Sequence, residues 1–365
     1  MASPQHLAIM EKFPNDILSN IFIRLLAKQL AQMRCVSKTW NDLLSRPSFV
    51  KSHLDHSRHK NDEILLVFYH LFSFHSKPFT AHPLRSPHLE LTNFIRLPTN
   101  LQSERYHYGY VIGSVNGLIC FQYGPYIDGD YYIWNPSLSA LLILPPSDNM
   151  PDYDYEDLVG IFPRFGYDPT TDDYKLVKLT SLDQEPIILW LVEVYSMRKG
   201  VFKLITQSPP SHITRIRYNH EVCVDGHDGH LHWFGYTESD NKLYYEISLG
   251  VLVGKLCVMA MFRHGECEVW AMDEYGVADS WVKHHVFSKC RGGVSPFGFT
   301  LHNEFVFGVY DRLTLYDPIA AKVKHFKIKS TKCGYTKVVE YVDSLVWVAP
   351  TKHKISCRKF SRLKF

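Results

Sequence analysis

The sequence has 365 residues, 45% of them apolar, enough for one sizeable core beside a smaller module or for two domains. Aromatic residues reach 14%, a level natural to strand-rich proteins, and a net charge of +3 is far from the basicity of a dedicated nucleic-acid binder. The N-terminus lacks the basic start and apolar run of a signal peptide, and the most apolar stretch, 247–262, is broken by Gly250, Gly254 and Lys255 and is too short to span a bilayer. Cytosol or nucleus is the expected compartment, with no membrane and no nucleic acid as partner. The eight cysteines (35, 120, 223, 257, 267, 290, 333 and 357) are scattered and form no C-x-x-C pair, which points to reduced thiols, mostly buried, rather than a disulfide scaffold or zinc ribbon.

The first element begins at Phe13-Pro14-Asn15-Asp16. Proline suits the first helical position, and Asp16 places a carboxylate near the positive end of the helix dipole. Ile17, Leu18, Ile21, Phe22 and Leu25 follow at helical spacing. Leu30, Met33, Cys35 and Val36 form a second apolar cluster. Ser37 or Thr39 is a candidate cap for a third helix carrying Trp40, Leu43 and Leu44, and Pro47 is expected to end it. About 40 residues cannot bury enough surface to stand alone. Three short helices cannot hide all these apolar side chains, so a partner is expected on one face, whether another protein or the rest of this chain.

The run Phe13-Pro14-x-x-Ile17-Leu18-x-x-Ile21-Phe22-x-Arg24-Leu25, then Met33-Arg34-Cys35-Val36-Ser37-Lys38-x-Trp40 and Pro47-x-Phe49, resembles the F-box. That family supplies the substrate receptors of cullin-based ubiquitin ligases. The resemblance implies docking to a Skp-type adaptor, and through it to a cullin, by Pro14, Ile17, Leu18, Ile21, Leu25, Val36 and Trp40. Two departures are visible. The family usually opens Leu-Pro rather than Phe13-Pro14. It often has a proline where Arg24-Leu25-Leu26-Ala27 has Leu26, so the first helix here is free to run on.

The polar run 53–60 marks a boundary, after which short apolar stretches alternate with turn residues. Expected strands are 63–69, 118–123, 131–134, 140–144, 174–179, 187–195, 201–205, 230–236, 242–247, 255–261, 266–272, 305–310, 313–316 and 345–348. No GxGxxG and no long amphipathic helix appears, which argues against a Rossmann-type fold. Trp134-Asn135-Pro136, Tyr167-Asp168-Pro169 and Tyr316-Asp317-Pro318 each put an aromatic at a strand end before a turn initiator and proline, a weak repeat of the kind propeller blades show. The irregular spacing hides the blade number. Asn116-Gly117-Leu118-Ile119-Cys120, Ile133-Trp134-Asn135-Pro136-Ser137, Phe165-Gly166-Tyr167-Asp168-Pro169, Leu231-His232-Trp233 and Val269-Trp270-Ala271-Met272 resemble the plant F-box-associated type 1 domain, often described as kelch-like.

The predicted organisation is mainly β with a small N-terminal all-α module: a three-helix F-box at 1–50, a linker at 51–62, a β-propeller-like (kelch-like) domain at 63–350 and a basic tail at 351–365. The segment from Cys223 through Asp225, His227, Asp228 and His230 to His232 has zinc-type ligands, but reads more readily as a strand, a turn and a strand whose His230 and His232 share a face; no metal is expected. Asp148, Asp152, Asp154, Glu156 and Asp157 form an acidic loop, either solvated or facing a basic substrate. The C-terminal Lys352, Lys354, Arg358, Lys359, Arg362 and Lys364 form a nuclear or nucleic-acid patch or simply a solvated end. There is no G-x-S-x-G, H-E-x-x-H or P-loop, so no catalytic residue and no cofactor is expected. The expected role is to hold a protein substrate near a charged ubiquitin, by proximity rather than bond chemistry. Two other readings remain open: an F-box decoy acting outside the ligase, and a propeller enzyme or lectin-like binding module with the helices as a cap.

Overall fold

A computed structural model of the chain describes residues 13–59, 64–69, 79–86, 89–92, 94–97, 108–124, 129–147, 157–184, 187–205, 209–210, 212–216, 229–237, 244–262, 265–287, 294–309, 312–326 and 336–348. The helical module has four helices rather than the three expected: α1 (Asn15–Phe22), α2 (Ala27–Met33), α3 (Lys38–Leu44) and α4 (Pro47–Arg58). Pro14 sits at the N-cap of α1, one residue before the first helical position. The missing proline at 26 does not lengthen α1. Leu26 takes φ −68° and ψ 145°, the conformation a proline would impose, and its N–H donates to Gln29 Oε1. Ser37 is the N-cap of α3 but makes no side-chain cap bond. Pro47 follows the end of α3 as expected, yet it also opens α4, where its missing N–H costs nothing. The stretch read as a linker is therefore helical as far as Arg58, and His53 and Leu54 within it are buried. Its polar surface misled because only one side of α4 faces the protein.

Among the described residues the β region forms a propeller with five blades of three or four strands. Blade 1 pairs β2 (Phe79–Pro83) with β1 (Ile64–Tyr69) and β1 with β21 (Thr336–Tyr341). Blade 2 is β3 (Tyr108–Val115), β4 (Leu118–Gly124), β5 (Asp130–Asn135) and β6 (Ala140–Ile143). Blade 3 is β7 (Leu158–Asp168), β8 (Asp173–Gln184), β9 (Ile187–Ser196) and β10 (Val201–Ile205). A two-stranded ladder of β11 (Arg215–Ile216) and β12 (Gly235–Tyr236) comes next. Blade 4 is β13 (Tyr244–Leu252), β14 (Lys255–Phe262), β15 (Cys267–Met272) and β16 (Trp281–Phe287). Blade 5 is β17 (Val294–Phe299), β18 (Phe305–Val309), β19 (Arg312–Asp317) and β20 (Lys322–His325).

All sheet pairing is antiparallel between neighbours, and β1 meets β21 in register from Ile64↔Tyr341 to Tyr69↔Thr336. That pairing of the first and last strands closes the ring and removes its free edges at the seam. Four of the five junctions have an apolar cluster among the described residues. Phe68, Phe79, Phe121 and Trp134 lie between blades 1 and 2, and Ile112, Ile133, Phe165 and Tyr195 between blades 2 and 3. Met259, Val269, Phe299 and Phe305 join blades 4 and 5, while Val67, Val306, Leu315 and Phe326 join blade 5 back to blade 1. Phe162, Trp190 and Ile216 pack the ladder against blade 3. Burying one such aromatic contributes about 3 kcal/mol.

Two expected strands are corrected. In segment 230–236 His230 forms an isolated bridge and only Gly235–Tyr236 enters a two-residue ladder. Trp233 Nε1 donates to the Phe162 carbonyl and Leu231 fills the space beside Gly166, so side chains fix this segment rather than a backbone ladder. Segment 345–348 is also not a strand. It is held by Asn135, whose Nδ2 donates to the carbonyls of Ser344 and Val346.

The aromatic–turn–proline repeat has a common geometry. Asn135 Oδ1 accepts from the Leu138 N–H, Asp168 Oδ1 from the Thr170 N–H, and Asp317 Oδ1 from the N–H groups of Ile319 and Ala320. Each side chain caps the turn that its own strand leads into.

Candidate adaptor-docking face

The helical module buries Leu18, Phe22, Leu30, Trp40, Leu43, Leu44 and Phe49 around one centre, and Leu345 of the propeller completes it. Phe22 meets Trp40 edge-on at 5.3 Å between ring centroids. The helices thus pack partly on their own chain, as one of the two expectations had it. The same module leaves a second apolar set outside. Phe13 (45%), Ile17 (47%), Ile21 (44%), Leu26 (52%) and Val36 (53%) are exposed.

The periodicity of α1 explains the division. Ile17 and Ile21 are one turn apart on its outer side, while Leu18 and Phe22, each one residue on, turn inward. Of the seven residues carried over from the resemblance, Pro14, Ile17, Ile21 and Val36 lie exposed and Leu25 is half-buried. Leu18 and Trp40 lie in the core of the module, where they shape the face from beneath. Phe13 and Leu26 belong to the exposed set, and sequence pattern alone did not mark them as docking residues. Their position at the ends of α1 and α2 was the available signal.

The module stands on one end of the propeller. Ala27 N–H donates to Asp343 Oδ2 at 2.7 Å, His53 Nε2 lies 2.9 Å from the Leu25 carbonyl and 3.9 Å from Asp343, and Arg58 reaches Asn116 Oδ1. Asn116 donates in turn to Tyr174 Oη in blade 3. Burial of Arg34 lowers its pKa, and it donates to the Leu44 carbonyl between α3 and α4, so it serves the module's interior.

The other singled-out groups do not gather into a site. Cys223, Asp225, His227 and Asp228 lie outside the described residues. His230 packs against Tyr275 and His232 Nε2 lies 3.0 Å from Tyr275 Oη, which ties this segment to blade 4. Among the described residues no group of three or more His, Cys, Asp or Glu side chains could hold a metal ion. Of the acidic run, Asp157 alone falls within the described residues, and the basic tail lies outside them. Cys120, Cys257 and Cys267 are buried and Cys35 is exposed; burial pushes the Cys257 thiol up to about 12. No described helix is long and apolar enough to cross a membrane.

Comparison with known proteins agrees with this division of the chain. Residues 10–52 match the F-box domain family, and residues 68–247 match the family described as the F-box associated beta propeller domain. That second match carries neither the type 1 nor the kelch-like designation. F-box protein CPR1 of Arabidopsis thaliana is 26% identical, over 92% of this chain and 86% of its own length. F-box/kelch-repeat protein At3g23880 of the same plant is also 26% identical, over 78% of this chain and 80% of its own. Among solved structures, the Dos1 propeller aligns at 11% identity with a TM-score of 0.30, over 80% of this chain and 94% of that one. The chain therefore carries an F-box domain, matched over residues 10–52, and an F-box associated β-propeller domain, matched over residues 68–247, and it has relatives among the F-box proteins of Arabidopsis thaliana.

Proposed function

We propose that this protein is the substrate-recognition subunit of an SCF-type ubiquitin ligase. The F-box binds a Skp-type adaptor, the adaptor binds a cullin, and the propeller holds a protein substrate for ubiquitination and proteasomal degradation. The observation that carries this reading is that Ile17, Ile21, Leu26 and Val36 stay exposed on a module whose core is already completed by Leu345 of the propeller. A second apolar surface that the chain itself leaves uncovered is what a docking module presents. The chain would supply proximity, raising the effective concentration of substrate beside the charged ubiquitin. Such a role asks for no catalytic residue, metal or cofactor from this chain, and it places the protein in the cytoplasm, the nucleus or both.

The substrate would meet the propeller at the end away from the helices. At the helix-bearing end the strands close in short turns such as Asn116–Gly117 and Val253–Gly254, which offer little surface for recognition. The chain leaves the last strands of the blades, such as β6, at the opposite end.

Association of the full-length chain with a Skp-type adaptor tests the reading. Point substitutions on the exposed row are better suited than removal of residues 1–50, because removal would uncover Leu345 and Leu138 of the propeller. Failure of the parent protein to bind any Skp-type adaptor would end the proposal.

A further inference from the structure

The two domains are joined by more than the chain between them. Asp343, two residues beyond the end of β21, accepts the N–H of Ala27, the first residue of α2, at 2.7 Å. That amide has no partner within its own helix, because the first turn of a helix leaves its N–H groups unpaired. Asp343 also lies 3.9 Å from His53 Nε2 on α4, and His53 is buried. One propeller carboxylate thus touches two helices of the F-box.

Asp343 is itself held from behind. Tyr341 Oη donates to its Oδ1, and Tyr341 in turn lies 3.0 Å from Ser137 Oγ, which accepts the Ser344 N–H. The 342–344 segment packs so closely over the β3–β4 turn that a Cβ on Gly117 would strike the Val342 carbonyl and Ser344. Arg58 adds a second tie, to Asn116 of that same turn. The exposed row of α1 makes none of these contacts.

We infer that Asp343 is a positioning residue that fixes the angle between the adaptor-docking face and the propeller. This rests on the proposed function. The adaptor is bound by the F-box and the substrate by the propeller, so the angle decides where on a substrate ubiquitin can arrive. Asp343 acts on that angle without touching either partner. Its loss removes the hold on α2 and α4 and leaves the Arg58–Asn116 tie and the packing of Leu345 against the helical core to set the angle less tightly, while the docking face stays intact.

The test uses the full chain with spectroscopic labels introduced at Lys51 on α4 and Lys322 on β20, both exposed. The parent protein gives one narrow distance distribution. Asp343→Ala broadens or splits it, and Asp343→Asn, which still offers an oxygen to the Ala27 N–H, keeps it narrow. Adaptor affinity stays within about twofold of the parent in both variants, because Asp343 meets the Ala27 N–H and the buried His53 and none of the exposed side chains of the docking face. A distribution in Asp343→Ala as narrow as the parent's overturns the inference. Amide exchange at Ala27 gives an answer even if that variant fails to fold. In the parent this amide exchanges slowly, and free exchange there equally overturns the inference. Absence of adaptor binding by the parent would sink the proposed function and leave both of these measurements standing.

Discussion

The side-chain amide of Asn135 donates to the Ser344 carbonyl at 3.0 Å, joining residues 209 apart in the chain. The same nitrogen donates to Val346 at 2.7 Å, and Oδ1 accepts from the Leu138 N–H. Asp168 and Asp317 occupy the equivalent place in their own turns and only accept. Asn135 is amide rather than acid because it must also donate. Asn135→Asp would set a buried carboxylate against two carbonyl oxygens. It should lower the unfolding free energy by about 2 kcal/mol, read by chemical denaturation. It should also loosen the 343–346 segment under the F-box.

Val253 and Gly254 form a two-residue hairpin turn with φ of 50° and 74°, and Val253 is 69% exposed. A β-branched residue in the left-handed region is strained and here gains no burial in return. Blade 2 uses Asn116–Gly117 at the corresponding turn, with φ of 55° and 79°. Val253→Asn should therefore stabilise the protein by about 1 kcal/mol, seen as a raised midpoint of urea unfolding.

Hydrogen bonds from Lys175, Thr170 and Thr171 hold the Asp168 carboxyl well below the usual carboxylate range. A group depressed in this way adds stability that is present above its unfolded pKa of about 4 and lost as pH falls through the folded value. Lys175 is about a third exposed at its side chain, so solvent screens the pair and the contribution is modest. In Asp168→Asn this component is absent, and the loss of stability between pH 7 and pH 3 should be smaller than in the parent. An unchanged difference would remove Asp168 from the acid response.

The first three helices of the F-box and many strands outside the first of each blade were legible in the sequence, because α1 and β15 carry clean periodicities. The expected strands passed over β2, β11, β16, β20 and β21, and also β3, β7 and β17, the first strands of their blades. Gly109 and Gly113, Gly160, Pro163 and Gly166, and Pro296 and Gly298 read there as breakers. Each of these first strands has a register shift, at Val111/Gly113, Leu158/Gly160 and Pro296/Gly298, which accommodates the extra residue. Close approach of neighbours adds to the demand for glycine: a Cβ on Gly166 would meet Leu231, and one on Gly308 would press on Phe297. The residues proposed for docking were half legible. Helical spacing grouped Ile17, Leu18 and Ile21 together, but which of them faces outward depended on where α3, α4 and Leu345 lie.

That division can be measured by isothermal titration of a Skp-type adaptor into the full-length protein carrying Ile17→Asp and Ile21→Asp together. Both side chains are on the surface, so the melting temperature should be unchanged. Affinity should fall by at least about 2 kcal/mol, roughly 30-fold, as for truncated anchors at the centre of an interface. Trp40→Ala, by contrast, should cost about 3 kcal/mol of stability by opening a cavity in the helical core. A folded Ile17→Asp/Ile21→Asp protein that binds the adaptor as tightly as its parent would contradict the assignment of this face.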